Sequence, residues 1–340
     1  MKTLDFLIPS YKRPEMLAIA VDSVAKQVLE NHLEDRVSVT VVDDCSPNVD
    51  DVFLADQFTV YNNFLSYSKN RINKGMSLNI RDMVAFSQAY YCCILTDDDQ
   101  LQPGALSKII QIIDGMNEHY GSDLIGAFYV PRYAYLEDGS LHCIDCESFK
   151  ENTIVEPGPL NSLKYMHDGF ILTGLFFQPR LINVPLWDRH IENSFFPVIY
   201  FADLLIRYKC LFVSDNWFVH TVLNECHWES WGATEKSRCI RLYRDYMQAV
   251  SIAAEEAFSK TPLGVGMRYL FREEVDRYKQ QISSVLPKIG NNVAVYQSTW
   301  RRAPYWAARL EMSVSYQQIR SILGRAGRVF SGIGNFLLRK

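Results

Sequence analysis

The sequence predicts an α/β fold, in which a mostly parallel sheet is flanked by helices and followed by a helical C-terminal region with a basic amphipathic tail. Three observations lead to this prediction. Apolar, strand-like runs alternate with segments of helical periodicity through the first third of the chain. Polar clusters follow three of these runs where the strands should end. Past residue 230 the strand signals cease and helical periodicity remains.

The N-terminal elements follow one another as strand and helix. Residues 4–8 form an apolar run that Pro9 and Ser10 end, which predicts the first strand. Apolar side chains between 15 and 28 recur at helical spacing. The β-branched run 37–42 predicts the second strand. The next predicted elements are a helix near 52–58, a strand near 64–68, a turn at 73–75, a helix over 77–89 and a strand over 90–96.

The remaining predicted elements complete three regions of the chain. The predicted elements are a helix over 105–116, a strand over 123–130, a polar stretch over 135–159, an apolar run over 171–177, and helices over 201–211, 234–259 and 266–286. Residues 1–230 therefore form the predicted α/β domain, 231–300 a helical region and 301–340 a basic tail.

Composition excludes several classes of protein. A hydrophobic content of 48% and a charged content of 22% over 340 residues are typical of a globular chain, and a net charge of −4 does not indicate a nucleic-acid partner. Eight scattered cysteines contain one C-x-x-C pair, Cys143 and Cys146, and zinc would need two more ligands. We expect reduced thiols and a cytoplasmic protein. The sequence shows neither a signal peptide nor an apolar stretch long enough to span a membrane.

The tail carries a strong positive charge. Residues 301–340 contain seven Arg and one Lys against one acidic residue, a local charge of +7. Apolar residues from Ile319 to Leu337 recur at helical spacing around Arg320, Arg325 and Arg328. This pattern is typical of an amphipathic helix lying on the inner face of a membrane. A helix packed on its own domain or on a partner subunit is the alternative, and a homo-oligomer is left open.

Three consecutive aspartates, Asp97, Asp98 and Asp99, end the apolar run 90–96. Adjacent carboxylates repel one another, so this placement indicates a positive partner. Mg²⁺ or Mn²⁺ fits, because these ions take carboxylate oxygens together with the phosphates of a nucleotide. A solvated acidic loop or a helix N-cap is the alternative. Ligands bind beyond the carboxyl ends of strands in such sheets, where two other polar clusters, Ser10–Tyr11 and Asp43–Asp44, also lie.

Four motifs occur in a characteristic order: Ile8–Pro14, Val41–Ser46, Asn73–Gly75 and Leu95–Asp99. Together they resemble the nucleotide-sugar domain of family 2 glycosyltransferases, which have the GT-A fold. The resemblance covers about the first 230 residues and is strongest over the first 115. It implies an inverting, metal-dependent enzyme of the bacterial surface-polysaccharide type. Such an enzyme moves a sugar from a nucleotide-diphosphate donor to a saccharide or a lipid-linked saccharide.

The resemblance also implies donor-binding residues. Tyr11 would stack on the nucleotide base, and Asp44 would accept a hydrogen bond from it, with Asp43 the more structural of the two. Lys74 and Arg81 would neutralise phosphate charge, although solvated charges on a helix face explain them about as well. The full set of predicted donor-binding residues is Pro9, Tyr11, Asp43, Asp44, Lys74, Arg81 and Asp97.

The roles within the triad follow from the same resemblance. Asp97 would face the ribose, and Asp98 would bind the Mn²⁺ or Mg²⁺ ion that bridges the diphosphate. Asp99 would be an additional ligand or would support the ligands from behind, and His220 would be a further metal or diphosphate ligand. The chain departs from the usual Asp-x-Asp signature, since Thr96 stands where the first Asp often lies.

The acceptor side is predicted from more distant residues. In the family, an Asp or Glu at a helix start about 100 residues after the triad takes the proton from the acceptor hydroxyl. Asp203 matches this position, with Ala202 replacing the common Glu; a helix N-cap is its alternative role. The predicted acceptor-binding residues are Asp168, Gly174, Trp228 and Trp231.

Two other functions remain open at this point. A sugar nucleotidyltransferase also combines an α/β sheet with acidic metal ligands, but it typically has a Gly-rich loop after the first strand, which residues 8–13 are not. A catalytically silent glycan-binding or membrane-scaffold protein on a transferase fold is the other possibility. Thr96 and Ala202 keep this second alternative open.

Overall fold

The computed structural model describes residues 1–47, 58–121, 125–135, 141–143, 151–166, 172–214 and 219–222, with further helical positions between 245 and 257. For 132–135, 141–143 and 219–222 it describes the backbone alone. The predicted helices near 52–58 and over 266–286 and the tail 301–340 lie wholly or almost wholly outside the described residues.

The described chain alternates strands and helices. The strands are β1 Leu4–Ser10, β2 Val37–Asp43, β3 Leu65–Lys69, β4 Tyr91–Ile94, β5 Asp99–Leu101, β6 Ile125–Tyr129, β7 Arg132–Tyr135, β8 Leu141–Cys143, β9 Thr153–Val155, β10 Leu175–Phe177, β11 Lys209–Phe212 and β12 Val219–Val222. The helices are α1 Pro14–Glu30, α2 Met76–Phe86, α3 Ala105–Tyr120, α4 Pro159–Tyr165, α5 Val184–Arg189 and α6 Phe196–Arg207.

An eight-stranded sheet in the order β3-β2-β1-β4-β10-β6-β11-β9 forms the centre of the fold. Strand β1 runs parallel to β2 and β4, and β6 runs parallel to β11, while β10 is antiparallel to both β4 and β6. The carboxyl ends of β1, β2, β4 and β6 therefore meet at one edge. A smaller sheet, β5-β12-β7-β8, continues from the end of β4. This architecture confirms the predicted α/β fold with a mostly parallel sheet.

Apolar packing covers both faces of the main sheet. One core cluster joins α1 and α3 to the sheet through residues such as Val21, Val24 and Ile109. The other joins α2, α5 and α6 through Ile80, Trp187 and Tyr200. Because both faces are buried, β1 and β4 are almost wholly apolar, as the sequence of a central parallel strand should be.

One predicted element is wrong. The helix expected over 201–211 is α6, which begins at Phe196 and ends at Arg207, and residues 209–212 form β11. Tyr208 breaks the helix with an extended backbone (φ −134°, ψ 155°), and the apolar run after it pairs with β6. The described positions between 245 and 257 are helical, as predicted, and the side chain of Asn193 donates a hydrogen bond to the Asp245 carbonyl at 2.9 Å.

Candidate functional site

The carboxyl-terminal edge of the parallel strands gathers three polar loops. They follow β1, β2 and β4 and carry, in that order, Tyr11–Arg13, Asp43–Ser46 and Asp97–Asp99. The Asp44 amide donates to the Ser10 carbonyl at 2.8 Å, and the Lys12 amide donates to the Ser46 hydroxyl at 2.7 Å. The first two loops are thus fastened to each other at the edge where open α/β sheets bind ligands.

Asp43 holds the second loop in shape. Its carboxylate accepts hydrogen bonds from the Ser46 amide, at 2.8 Å, and from the Ser46 hydroxyl. Asp43 and Ser46 are both buried. Since the Ser46 hydroxyl in turn receives the Lys12 amide, this carboxylate fixes the first loop as well as its own.

Asp44 fastens the turn at 73–75 to the site. Its Oδ1 accepts hydrogen bonds from the Asn70 side chain and the Lys74 amide, each at 2.9 Å, and its Oδ2 accepts from the Gly75 amide at 2.8 Å. Gly75 has φ +79°, a conformation that favours glycine. Asn79 supports this arrangement by accepting a second hydrogen bond from Asn70 at 2.8 Å. Neither asparagine was predicted from the sequence, where the only signal is their place around the turn.

The two cations predicted to face phosphate have partners in the protein. Lys74 Nζ lies 2.9 Å from Asp82. Arg81 makes two contacts of 2.9 Å to Asp188 and one of 3.0 Å to Asp82. Arg81 therefore ties α2 to α5 in this structure, and its role at the phosphates stays a prediction. Lys74 is held beside the site by Asp82.

Arg13 is a positive partner of the triad, and it was not among the site residues predicted from the sequence. Its Nη2 lies 2.6 Å from Asp97 Oδ1, and its Nη1 lies 3.0 Å from Asp98 Oδ2. The Asp97 side chain is 1% exposed and that of Asp98 30% exposed. One planar guanidinium thus bridges two adjacent carboxylates. A basic residue in the loop after β1 was the available signal, because that loop ends at the same edge as the triad.

Asp97 is buried, and its carboxylate oxygens lack well-formed hydrogen bonds among the described residues. Ser10 and the Tyr11 amide approach its carboxylate without good hydrogen-bond geometry. Burial raises the pKa of Asp97 to about 7, and the adjacent Asp98 adds to this, while Arg13 opposes it. The Arg13 guanidinium is therefore the charged group that favours the ionised form of this buried carboxylate.

Asp99 is hydrogen-bonded to Thr96 by both its side chain and its backbone amide. Its Oδ2 accepts a hydrogen bond from the Thr96 hydroxyl at 2.8 Å, and its amide donates to the Thr96 carbonyl at 3.0 Å. The Thr96 amide donates to the Thr173 hydroxyl at 3.2 Å, which brings Gly174, with φ +98°, beside the triad. Thr96, where the chain departs from the family signature, therefore joins the triad to the start of β10.

The predicted metal ligands do not form a complete protein cage. Among the described side chains, no group of three or more His, Cys, Asp or Glu residues could hold a metal ion. Strand β12 places the His220 backbone opposite Gln100, next to Asp99, but the His220 side chain lies outside the described part. Asp98 is the carboxylate that fits a cation, since it is partly exposed and Arg13 engages its Oδ2. Mg²⁺ and Mn²⁺ sites of this kind commonly complete their ligands with phosphates and water.

The remaining donor-side residues lie at the same edge. Tyr11 is half-buried in the first loop, with Lys12 Nζ 4.8 Å from the centre of its ring. Pro9 belongs to β1, where it pairs with Val42. Both are positioned at the mouth of the site by the end of β1.

Asp203 does not lie at this edge. It is the eighth residue of α6, so it is neither at a helix start nor a helix N-cap. Its carboxylate, 1% exposed, pairs with Arg207 one turn later. A guanidinium nitrogen of Arg207 also donates to the Leu181 carbonyl at 2.7 Å.

The surroundings of Arg207 locate Asp203 at the opposite edge of the sheet. The Leu181 amide donates to the Gln178 carbonyl, and the Gln178 side chain donates to the carbonyl of Ile125, the first residue of β6. Because β6 begins at the amino-terminal edge, the Asp203–Arg207 pair lies on the far side from the triad. This placement contradicts the prediction that Asp203 is the base; we assign it a role in stabilising α6.

Three predicted acceptor-binding residues, Asp168, Trp228 and Trp231, lie outside the described residues. The structure therefore places Gly174 alone of that set. A search of the described helices finds none with the length and apolar character needed to cross a membrane.

Comparisons with known proteins agree with the fold and the motifs. Residues 5–140 match the family model of glycosyl transferase family 2, and this range contains all four motifs. The structure of Staphylococcus aureus TarS 1–349 in complex with UDP-GlcNAc is similar with a TM-score of 0.58 and 15% identity, over 96% of this chain and 92% of that one. The structures of TarS 1–349 without a named ligand (16% identity) and with UDP (15% identity) have TM-scores of 0.50 at the same coverage. No curated protein matches the sequence. The chain therefore has a GT-A-like fold, and its residues 5–140 are similar to glycosyl transferase family 2.

Proposed function

We propose that this chain, whose residues 5–140 match the family model of glycosyl transferase family 2, transfers a sugar from a nucleoside-diphosphate donor to a saccharide acceptor. The acceptor is a growing cell-surface glycan, free or lipid-linked, and the reaction inverts the anomeric configuration by a single displacement. The observation that carries the proposal is the meeting of Asp97, Asp98 and Arg13 beyond the carboxyl ends of β1 and β4.

The charges at this edge suit a diphosphate. Cleavage of the sugar–phosphate bond leaves negative charge on the departing nucleoside diphosphate, and prepositioned cations stabilise that charge. Arg13 supplies a guanidinium at the edge, and Lys74 lies beside it on the turn that Asp44 fastens. Tyr11, at the mouth, offers an aromatic ring to the nucleoside.

Mn²⁺ or Mg²⁺ is part of the proposal. Asp98 would hold the ion, because its carboxylate is partly exposed and adjacent to the buried Asp97. When bound, the ion would neutralise the leaving diphosphate as a Lewis acid. Asp97 stays behind Asp98, where it accepts the Arg13 guanidinium. The acceptor proton goes to a group other than Asp203, since that carboxylate lies at the opposite edge.

A donor-hydrolysis and transfer screen tests the proposal. Uridine diphosphate sugars come first, because TarS was solved with UDP-GlcNAc and with UDP. Guanosine and thymidine diphosphate sugars follow, each with Mn²⁺, Mg²⁺ or EDTA. We expect release of the nucleoside diphosphate, dependent on the metal and lost in Asp98→Asn. Asp114→Asn is the control, since Asp114 pairs with Arg36 far from this edge.

The same screen decides between the proposal and its rivals. Donor binding without turnover on any sugar would favour a catalytically silent glycan-binding protein. Formation of a sugar nucleotide from a nucleoside triphosphate and a sugar phosphate would identify a nucleotidyltransferase. Either result would overturn the proposed transfer reaction.

We also propose that the chain binds the inner membrane surface through residues 301–340, whose local charge of +7 would attract anionic lipids. Sedimentation of the full chain with phosphatidylglycerol vesicles should exceed that with phosphatidylcholine vesicles. A variant with Arg320, Arg325 and Arg328 changed to Gln should sediment less. Equal sedimentation of both proteins would contradict the proposal.

A further inference from the structure

We infer that Arg13 is the resident counter-ion of the aspartate triad, and that its side chain leaves Asp98 for the donor diphosphate when donor and metal bind. The inference rests on the proposed function and adds to it a specific exchange of partners by one side chain. It predicts that Arg13 opposes the binding of a divalent cation alone and favours the binding of the nucleotide.

The backbone of Arg13 is fixed, so the exchange requires side-chain movement alone. Arg13 directly precedes the first helical residue, Pro14, and its carbonyl accepts the first hydrogen bond of α1 from Leu17 at 2.9 Å. The loop before it is fastened through Lys12 to Ser46. A long side chain on an anchored backbone can change partners by rotation about its own bonds.

The two Nη atoms of the Arg13 guanidinium contact carboxylates, while its buried Nε lacks a hydrogen-bond partner among the described residues. Nη2 contacts Asp97 and Nη1 contacts Asp98. The contact to Asp97 is at a buried carboxylate, and the longer contact to Asp98 is at a partly exposed one. The Asp98 contact is therefore the one that solvent and ligands can reach. A diphosphate offers several oxygens in the paired geometry that a guanidinium prefers.

The neighbouring cations are engaged with other groups. Lys74 is paired with Asp82, and Arg81 with Asp82 and Asp188. Lys12 lies over the Tyr11 ring. Within the described residues, Arg13 is the cation that makes ion pairs with the triad itself.

Charge balance gives the direction of the exchange. Without ligands, one guanidinium partly neutralises two carboxylates. A divalent cation at Asp98 would meet the positive charge of Arg13 within a few ångströms, and this repulsion weakens binding of the ion alone. The diphosphate brings negative charge that both the ion and Arg13 can share. Once Arg13 pairs with a phosphate oxygen, Asp98 is released to the ion.

Two binding measurements on Arg13→Gln test the inference, because the expected changes have opposite signs. Electron paramagnetic resonance of free Mn²⁺ without nucleotide should show a dissociation constant lower by about tenfold or more than in the wild type. Calorimetric titration with UDP at saturating Mn²⁺ should show binding weaker by about tenfold. Arg13→Lys, which keeps the charge without the fork, should leave Mn²⁺ binding near the wild-type value and weaken UDP binding.

Two controls give the measurements their meaning. Asp98→Asn should remove the Mn²⁺ site that Arg13→Gln strengthens. Arg36→Gln breaks another two-pronged ion pair, with Asp114, at the opposite edge and should change neither constant. A loss of fold would shift both constants toward weaker binding, whereas the inference requires one to tighten.

Several outcomes would overturn the inference. Unchanged or weaker Mn²⁺ binding in Arg13→Gln would mean that Arg13 orders the carboxylates instead of competing with the ion. Unchanged UDP binding would mean that Arg13 does not reach the diphosphate. In both cases wild-type binding of Mn²⁺ and UDP leaves the proposed function intact. Absence of UDP, GDP and dTDP binding by the wild type at saturating Mn²⁺ would overturn the inference and the proposed donor site together.

Discussion

Replacing Asp97 with Asn should change how the stability of the protein depends on pH. In the folded state, burial raises the pKa of Asp97 to about 7, from an ordinary value of 3.8. The folded protein therefore binds a proton at Asp97 more tightly than the unfolded chain does. The resulting stabilisation is fully present below about pH 4, and it is lost as the pH rises toward 7.

The magnitude follows from the size of the shift. A difference of about three pH units corresponds to about 4 kcal/mol between the two protonation states, as an upper value. An asparagine at this position would keep the shape of the side chain and would not titrate. The free energy of unfolding of the wild type, minus that of the variant, should thus fall by up to about 4 kcal/mol between pH 4 and pH 8.

Urea denaturation at half-unit steps from pH 4 to pH 8 measures this difference. Taking wild type minus variant removes the contribution of every other titrating group that the substitution leaves unchanged. Parallel curves would mean that Asp97 has an ordinary pKa and that its pairing with Arg13 offsets its burial. A difference that rises with pH would mean that Arg13 outweighs burial, which contradicts the reasoning outright.

Four further substitutions test other parts of the structure. Asp203→Asn should lower the free energy of unfolding by about 1–3 kcal/mol, because the substitution removes the ion pair with Arg207. Transfer activity should be kept. A hundredfold loss of kcat at unchanged stability would instead support Asp203 as the base. Tyr200→Phe should be neutral or stabilise by up to about 1 kcal/mol in the same urea assay, since the buried Tyr200 hydroxyl has no hydrogen-bond partner among the described residues, and a clear loss would contradict this. Gly126→Ala should cost about 1–3 kcal/mol, because a Cβ there would lie 2.6 Å from that of Tyr208. Gly115→Ala, where a Cβ meets open space in α3, should instead stabilise by about 1 kcal/mol, and equal effects of the two would refute the packing argument.

The order of strands and helices in the first third was predictable because both faces of the sheet are buried. Central strands such as β1 and β4 must then be mostly apolar, and amphipathic helices must cover them. The end of α6 was not predictable in this way. Only Arg207, Tyr208 and Lys209 separate its apolar residues from those of β11. Pairing with β6 and β9 makes residues 209–212 a strand.

The location of the candidate site could be predicted from the sequence, but the contacts between its side chains could not. The carboxyl ends of β1, β2 and β4 located Tyr11, Asp44 and Asp97, because topology alone brings strand ends together. Side-chain partners depend on distances that sequence does not contain. Arg13 was overlooked for this reason, although the triad had indicated a cation.

The role of Asp203 also could not be predicted from its position in the sequence alone. Its position after the triad suited a catalytic base, yet an Asp and an Arg four residues apart on a helix also form an ion pair. The sequence supports both roles equally. In the structure, the C-terminal end of α6 lies at the amino-terminal edge of the sheet, where Arg207 donates to the Leu181 carbonyl. This position favours the ion pair over the catalytic role.

The proposed function requires a nucleoside diphosphate to bind beyond the ends of β1 and β4 at Asp98. Calorimetric titration of UDP, GDP and dTDP into the wild type and Asp98→Asn, with Mn²⁺ and with EDTA, measures this binding itself. We expect at least one nucleotide to bind the wild type in a Mn²⁺-dependent way, and Asp98→Asn to weaken this binding at least about tenfold. Equal binding by the two proteins, or none by the wild type, would contradict the proposed site.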